Sequence, residues 1–165
     1  MQEYFSDAIV LDRLANGDLD SRIVLFTKQF GKLVARAKSA RKITSKLSAH
    51  LEPGNLIQVR LIEKNGLQIA DALKKAGLGQ KPADFYFLSQ LLAEAEPELH
   101  IWEILVHPHT KREMVFGTLS ADDSCSGVGA GGMFSWREVL KTLGWDPDFA
   151  ACAVCSNPIS AFHIK

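Results

Sequence analysis

Two cysteines near the end of the sequence, Cys152 and Cys155, have the C-x-x-C spacing of a zinc-binding turn. Such a pair can supply two of the four ligands of a tetrahedral zinc ion. A structural site normally takes its other two ligands from a second pair, and here His163 alone follows. The residues leave two interpretations open, a zinc site and two unmetallated cysteines. A thioredoxin-like redox motif is disfavoured because no βαβ pattern surrounds the pair.

Two other motifs could do chemistry, His107-Pro-His109 and the glycine-rich run 127–132. An H-x-H pair can bind metal or transfer protons, but no carboxylate or nucleophile pattern accompanies it, so a surface loop is favoured. The glycines satisfy G-x-G-x-x-G, but turn residues stand where a dinucleotide-binding fold has a strand. We interpret them as a linker and expect the chain not to be an enzyme. A metal enzyme built on the cysteines and histidines stays as one rival.

The strongest chemical signal is a run of positive charge. Residues 28–46 contain seven Lys or Arg and no Asp or Glu. A surface stabilised by ion pairs would include acidic residues, whereas nucleic-acid phosphates would complete the pairing from outside. A solvated basic face is the alternative interpretation. The predicted nucleic-acid-binding residues are Lys28, Lys32, Arg36, Lys38, Arg41, Lys42 and Lys46.

Charge is divided unevenly along this chain of 165 residues, which has no formal net charge. Residues 1–75 contain 13 basic and 8 acidic side chains, and residues 76–165 contain 6 and 11. The first part is therefore suited to a polyanion. The three cysteines favour a reducing cytosol over a disulfide framework, and the N-terminus lacks the basic residues of a secretory signal. No apolar run reaches the ~20 residues of a membrane-spanning helix.

The elements that must position the basic run are predicted to form a five-stranded barrel over residues 1–78. Apolar or alternating runs predict strands at 8–11, 23–27, 32–38, 56–62 and 67–70. Gly31 and Asn65-Gly66 are typical of hairpin turns, which need positive φ. Between the third and fourth strands, the segment from Thr44 to Leu51 predicts a short helix that carries Leu47. This order of elements is that of an OB-fold.

Period-two alternation within the third strand places Lys32, Arg36 and Lys38 on one face, opposite Leu33, Ala35 and Ala37. The basic run would therefore lie on one side of the barrel. Phe26 and Phe30 could stack on bases there, but burial in the core is favoured for both aromatic side chains.

Residues 79–165 are predicted to form a small α-helical domain that ends in a partial C-x-x-C zinc-like turn. Apolar residues at helical spacing predict a helix over 83–96 and a second that begins at Pro97. Ser135 and Glu138 form a capping-box pattern for a third helix, which Gly144 ends. The fold class is accordingly α+β, with an N-terminal OB-fold barrel followed by helices.

Residues 20–53, DSRIVLFTKQFGKLVARAKSARKITSKLSAHLEP, closely resemble the N-terminal domain of the RecO family of bacterial DNA repair proteins. The shared elements include Asp20 before the second strand, the Gly31-Lys32 turn and the Leu51-x-Pro53 ending. Ser39 stands where the family often has Gly. FYFLSQLLAEAEPELHIWEIL is similar to the family's first helical segment, and LKTLGWDPDFAACAVC to the stretch that enters its zinc-binding turn.

The resemblance implies a non-enzymatic recombination mediator in the cytoplasm, associated with the nucleoid. Such a protein binds single- and double-stranded DNA, anneals complementary strands, contacts RecR and single-strand-binding protein, and helps to load RecA. No cofactor is required, and zinc at Cys152 and Cys155 stays open because the second C-x-x-C of zinc-binding members does not follow. A short or C-terminally truncated form is therefore expected. The rival from another class is an adaptor whose basic barrel face docks an acidic partner tail.

Overall fold

The computed structural model describes residues 2–42, 44–107 and 134–145. The chain divides into two compact units, Met1–Phe134 and Ser135–Lys165. The described residues form five strands and three helices, which are β1 (Gln2–Asn16), β2 (Asp20–Thr27), β3 (Gly31–Ala37), β4 (Asn55–Glu63), β5 (Leu67–Gly77), α1 (Pro82–Leu91), α2 (Leu99–Val106) and α3 (Trp136–Thr142). Only α3 among these elements lies in the second unit.

The five strands close into a barrel in the order β1-β2-β3-β5-β4. Four neighbouring pairs are antiparallel. The fifth junction, between β3 and β5, is a single parallel pair that joins Arg36 and Gln68. This five-stranded closed barrel is the architecture of the OB-fold, so the predicted fold class is confirmed.

The barrel interior is filled by apolar side chains from all five strands, because alternate residues of each strand point inward. The buried core includes Ala8, Val10, Ile23, Leu25, Ala35, Ala37, Ile57, Val59, Leu61 and Ile69. Full burial of a Val, Leu or Ile side chain contributes about 1.5–3 kcal/mol relative to exposure. Because these inward side chains are held in the core, only the outward face of each strand can carry a binding site.

β1 and β5 are longer than the sequence predicts. The prediction covered residues 8–11 of β1, yet that strand runs from Gln2 to Asn16 because its first half pairs with β4 and its second half with β2. β5 continues to Gly77 beside β4, although its second half is mostly exposed. In both cases backbone pairing with a neighbour extends a strand whose polar ends carry a weak sequence signal.

The prediction of a short helix between β3 and β4 is wrong. Residues 44–51 form successive turns, with hydrogen bonds from Ser48 N to Ser45 O and from Leu51 N to Leu47 O. Leu51 is nevertheless buried, and Leu47 packs on the core. Burial of the two leucines therefore does not require a regular helix here.

The helical segments begin and end at different residues from those predicted. α1 ends at Leu91 instead of continuing to residue 96, and the chain beyond it pairs with β3 through a hydrogen bond of 2.9 Å from Ala95 N to Lys32 O. α2 begins at Leu99, two residues after the predicted Pro97. α3 does begin after Ser135 at the N-cap, and Gly144, with φ of 81°, follows its end.

The predicted division at residue 78 falls just after β5, where the sheet ends. The barrel, α1 and α2 belong to the same compact unit. A separate helical domain over 79–165, including the zinc-like turn, stays a prediction, because residues 108–133 and 146–165 lie outside the described residues.

Candidate nucleic-acid interface

β3 has the two faces that its alternation predicts. Ala35 and Ala37 are buried in the barrel core, and Leu33 packs against it. Arg36 is exposed on the opposite face, with Lys32 half-buried. Lys32 and Arg36 lie about 13 Å apart along the strand at 3.3 Å per residue, and they have different surroundings.

Lys32 connects the barrel to the helical segment. Its Nζ donates a hydrogen bond of 3.0 Å to the carbonyl of Ser89 in α1. The Lys32 carbonyl in turn accepts the hydrogen bond from Ala95 N. One of the seven predicted binding residues therefore has a structural role. Lys28, in the β2–β3 turn, is exposed.

Arg36 is paired with Asp20, the residue that begins β2. Its Nε and Nη2 donate to Asp20 Oδ2 at 2.9 and 2.5 Å. The other carboxylate oxygen, Oδ1, accepts from the backbone N of Ser39 at 2.8 Å. The Ser39 N–H first, and then the Arg36 guanidinium, hold the pKa of the Asp20 carboxyl below its usual value. Asp20 therefore orders the start of the β3–β4 connection and offsets part of the Arg36 charge.

The β3–β4 connection carries three more basic residues and brings one of them, Arg41, against the β1–β2 turn. Arg41 N donates to Leu19 O at 3.0 Å, and Arg41 Nη1 donates to Gly17 O at 3.0 Å. Lys38 and Lys42 are exposed beside it in the sequence. Lys46 is exposed further along the connection.

Arg22 also belongs to this surface, although it is not among the residues predicted from the sequence. It is exposed on β2, and its backbone lies directly opposite that of Arg36 on β3. Like charges on directly opposed residues repel each other, which an external anion would relieve. The alternation of β2 could have revealed Arg22, but it lies outside the acid-free run. We call Arg22, Arg36, Lys38, Arg41 and Lys42 the cationic end.

The Arg13 side chain of β1 holds the β3–β4 connection in place through hydrogen bonds and an ion pair. Its Nη1 contacts Glu52 Oε1 at 2.5 Å, and its Nη2 donates to the carbonyl of Ala40 at 3.1 Å. It also donates to the carbonyl and hydroxyl of Ser48. The Arg13 side chain is mostly buried, so it braces the connection and is not part of the exposed positive surface.

The two phenylalanines do not form a stacking platform at the cationic end. Phe26 is buried, as predicted, with its ring centroid 5.9 Å from that of Trp102 in α2. Phe30 is half-buried, and its ring meets that of Tyr4 in an edge contact. The geometry of the cationic end therefore suits phosphates better than unstacked bases.

The metal-binding residues predicted from the sequence cannot be placed in the fold. Cys152, Cys155 and His163 lie outside the described residues, as do His109 and the glycine-rich run. Within 2–42, 44–107 and 134–145, no group of three or more His, Cys, Asp or Glu is arranged to hold a metal ion. None of the helices in these ranges is long and apolar enough to cross a membrane.

An OB-type barrel with a positively charged loop region defines a class of proteins that commonly hold nucleic acid. Residues 1–75 match the family profile described as "Recombination protein O N terminal". These residues therefore belong to the RecO N-terminal domain family, and the resemblance stated above is confirmed. Curated RecO proteins also match most of the chain.

Three of these relatives, each called DNA repair protein RecO, illustrate the similarity. The chain is 27% identical to the protein from Chlorobium limicola over 93% of its own length and 60% of the relative's. It is 28% identical to that from Thermodesulfovibrio yellowstonii, with 94% and 63% covered. It is 36% identical to that from Myxococcus xanthus, with 95% and 65% covered. The chain thus spans about three fifths of the length of these relatives.

Proposed function

We propose that this chain is a non-enzymatic DNA-binding protein whose cationic end holds the phosphates of single- and double-stranded DNA. The observation that carries the proposal is a set of exposed cations that form no salt bridge within the described part of the chain. Arg22, Lys38 and Lys42 are exposed and make no ion pair with any described residue. Arg41 donates to a backbone carbonyl and likewise makes no ion pair with any described residue.

The proposed mechanism is electrostatic. Phosphates that replace the missing acidic partners release condensed counterions, so affinity falls as salt rises. Neutralising phosphates on two strands lowers their mutual repulsion, which allows complementary strands to approach and pair. Contacts to phosphates carry little sequence information, so sequence preference should be slight.

The wider role is proposed from the similarity to RecO. Strand annealing, loading of a recombinase, and contacts with RecR and single-strand-binding protein are the activities that this resemblance implies. Zinc at Cys152 and Cys155 also stays a prediction, which metal analysis of the purified full chain would test. DNA binding through the cationic end requires no cofactor.

A charge-reversal experiment tests the proposed function. Fluorescence anisotropy of a labelled single strand is measured across several salt concentrations, with Lys38→Glu/Lys42→Glu beside the unaltered chain. We expect the log–log salt slope to fall by about 1.4 for two lost phosphate contacts. We also expect affinity to fall roughly tenfold or more at low salt, because two repulsive charges replace two attractive ones.

The matched control is Lys74→Glu/Lys81→Glu, which makes the same change of charge at exposed lysines outside the cationic end. Equal losses in both variants would show that net charge, and not this surface, governs binding. Undetectable binding by the unaltered chain would contradict the proposal. It would favour the adaptor, which titration with an acidic peptide would then test.

A further inference from the structure

The barrel wall contains a pocket beside its weakest junction. β3 and β5 meet at the single pair of Arg36 and Gln68, and a cavity of about 380 Å³ opens nearby. Its floor consists of three leucines, one from each of β3, β4 and β5, which are Leu33, Leu61 and Leu67. This volume lies within the ~300–1,000 Å³ of small-ligand pockets, and the floor suits an aliphatic chain.

Two aromatic rings form a corner of the pocket. The rings of Tyr4 and Phe30 have centroids 5.5 Å apart and planes inclined at 74°. Both residues are half-buried and line the cavity. Aromatic faces attract cations through the ring quadrupole, and Tyr and Phe placed together in this way form part of an aromatic cage for ammonium groups.

A carboxylate without a cationic partner completes the pocket. Glu63 Oε2 accepts a hydrogen bond of 3.0 Å from the Tyr4 hydroxyl. Glu63 makes no ion pair with any described residue. The hydrogen bond to Glu63 raises the pKa of the Tyr4 phenol, so the phenol stays a neutral donor. Glu63 therefore lines the cavity with its negative charge, and the neutral Tyr4 hydroxyl does not cancel that charge.

We propose that this pocket binds a lysine side chain presented by a partner protein. The aliphatic stem would lie on the three leucines, and the ammonium group would contact the Tyr4–Phe30 corner and Glu63. A single carboxylate among the lining residues matches one ammonium group, which favours lysine over a polyamine with several charges. The carboxylate also repels phosphates, so the site is distinct from the cationic end.

The test uses Nα-acetyl-lysine methylamide as the probe and the full chain labelled with ¹⁵N. The control ligand is Nα-acetyl-norleucine methylamide, which has an aliphatic chain but no ammonium group. We expect saturable shifts of the Phe30, Leu33 and Ala95 amides with the lysine probe, at a millimolar Kd. The norleucine probe should bind at least fivefold more weakly.

Glu63→Gln keeps an acceptor for Tyr4 and removes the charge, so it should weaken lysine binding at least fivefold. Glu103→Gln, at an exposed position on α2, is the matched control and should leave the Kd unchanged. Equal binding of the two probes would overturn the proposal, as would an unchanged Kd in Glu63→Gln or an absence of saturable shifts. If spermidine bound tenfold more tightly than the lysine probe, the assignment to lysine would be wrong and the ligand would be a free polyamine.

Discussion

Asp20 is the residue on which the cationic end depends most directly. It accepts hydrogen bonds from Arg36 and from the Ser39 backbone, and so joins β3 to the connection that carries Lys38 and Arg41. Its carboxylate therefore does two things at once, since it orders the backbone of the site and limits the positive charge there.

Stability should depend on pH through Asp20. The folded-state pKa of its carboxyl lies below the usual 3.8, so its ionised form stabilises the fold. This contribution is complete above about pH 5 and is lost as the pH falls through the folded-state pKa. Asp20→Asn should therefore lower the urea midpoint at pH 7, and its difference from the unaltered chain should narrow below pH 4. A difference that is the same at pH 7 and pH 3 would contradict this role.

Ser39 offers a stabilising substitution. Its φ is 55°, in the left-handed region that favours glycine, and the RecO family often has Gly at this position. Left-handed backbone costs a non-glycine residue about 1–2 kcal/mol, partly offset by the greater freedom of glycine in the unfolded chain. Ser39→Gly should raise the free energy of unfolding by up to about 1 kcal/mol. Ser39→Ala, which keeps the strain, should bring no gain, and urea denaturation distinguishes the two.

At the scale of elements, the β2–β3 hairpin is held by a close approach of the chain that follows α1. Gly31 has a φ of 68°, and a Cβ atom there would lie 2.1 Å from the Glu96 carbonyl oxygen. The same segment pairs with β3 through Ala95 and Lys32. Gly31 therefore supplies both the turn conformation and the space for a backbone contact.

Gly31→Ala should destabilise the chain more than backbone strain alone would. The left-handed conformation costs about 1–2 kcal/mol, and displacement of the packed segment adds typically 1–3 kcal/mol. Gly17→Ala is the matched control, because Gly17 has a φ of 69° with nothing within 4 Å of its added Cβ. Equal losses for the two variants in urea denaturation would show that the contact with Glu96 does not matter.

The elements that could be predicted from the sequence are those with strong local patterns. β2, β3 and β4 have apolar or alternating residues along most of their length, and Asn65 and Gly66 both have positive φ as predicted. The ends of β1 and β5 are polar, and pairing across the sheet determines them. The spacing of apolar residues over 44–51 is typical of a helix. In the fold, however, the Ser48 carbonyl accepts a hydrogen bond from the Arg13 side chain, which is a tertiary contact.

The candidate site could be predicted only in outline. Four residues of the acid-free run, Arg36, Lys38, Arg41 and Lys42, belong to the cationic end, and their binding of DNA stays a prediction. Two departures come from tertiary contacts. Lys32 is engaged by the Ser89 carbonyl of α1, and Arg22 joins through strand pairing with Arg36. Neither contact is encoded by the spacing of neighbouring residues.

At the scale of the whole molecule, the excess of positive charge in residues 1–75 follows the fold. The net positive residues 1–75 coincide with the part that matches the RecO N-terminal domain. Five of its basic residues, the cationic end, lie where β2, β3 and the β3–β4 connection meet the β1–β2 turn. A chain with no net charge can therefore present a local positive surface to a polyanion.

The most direct test of the central claim is to locate DNA on the protein. Amide chemical shifts of the ¹⁵N-labelled full chain would be followed during titration with a short oligothymidine at low salt. If DNA binds at the cationic end, saturable shifts will be concentrated in residues 20–22 and 36–42 and will be lost at high salt. Shifts confined to the outer face of β1, β4 and β5, around Phe5, Arg60 and Leu73, would contradict it.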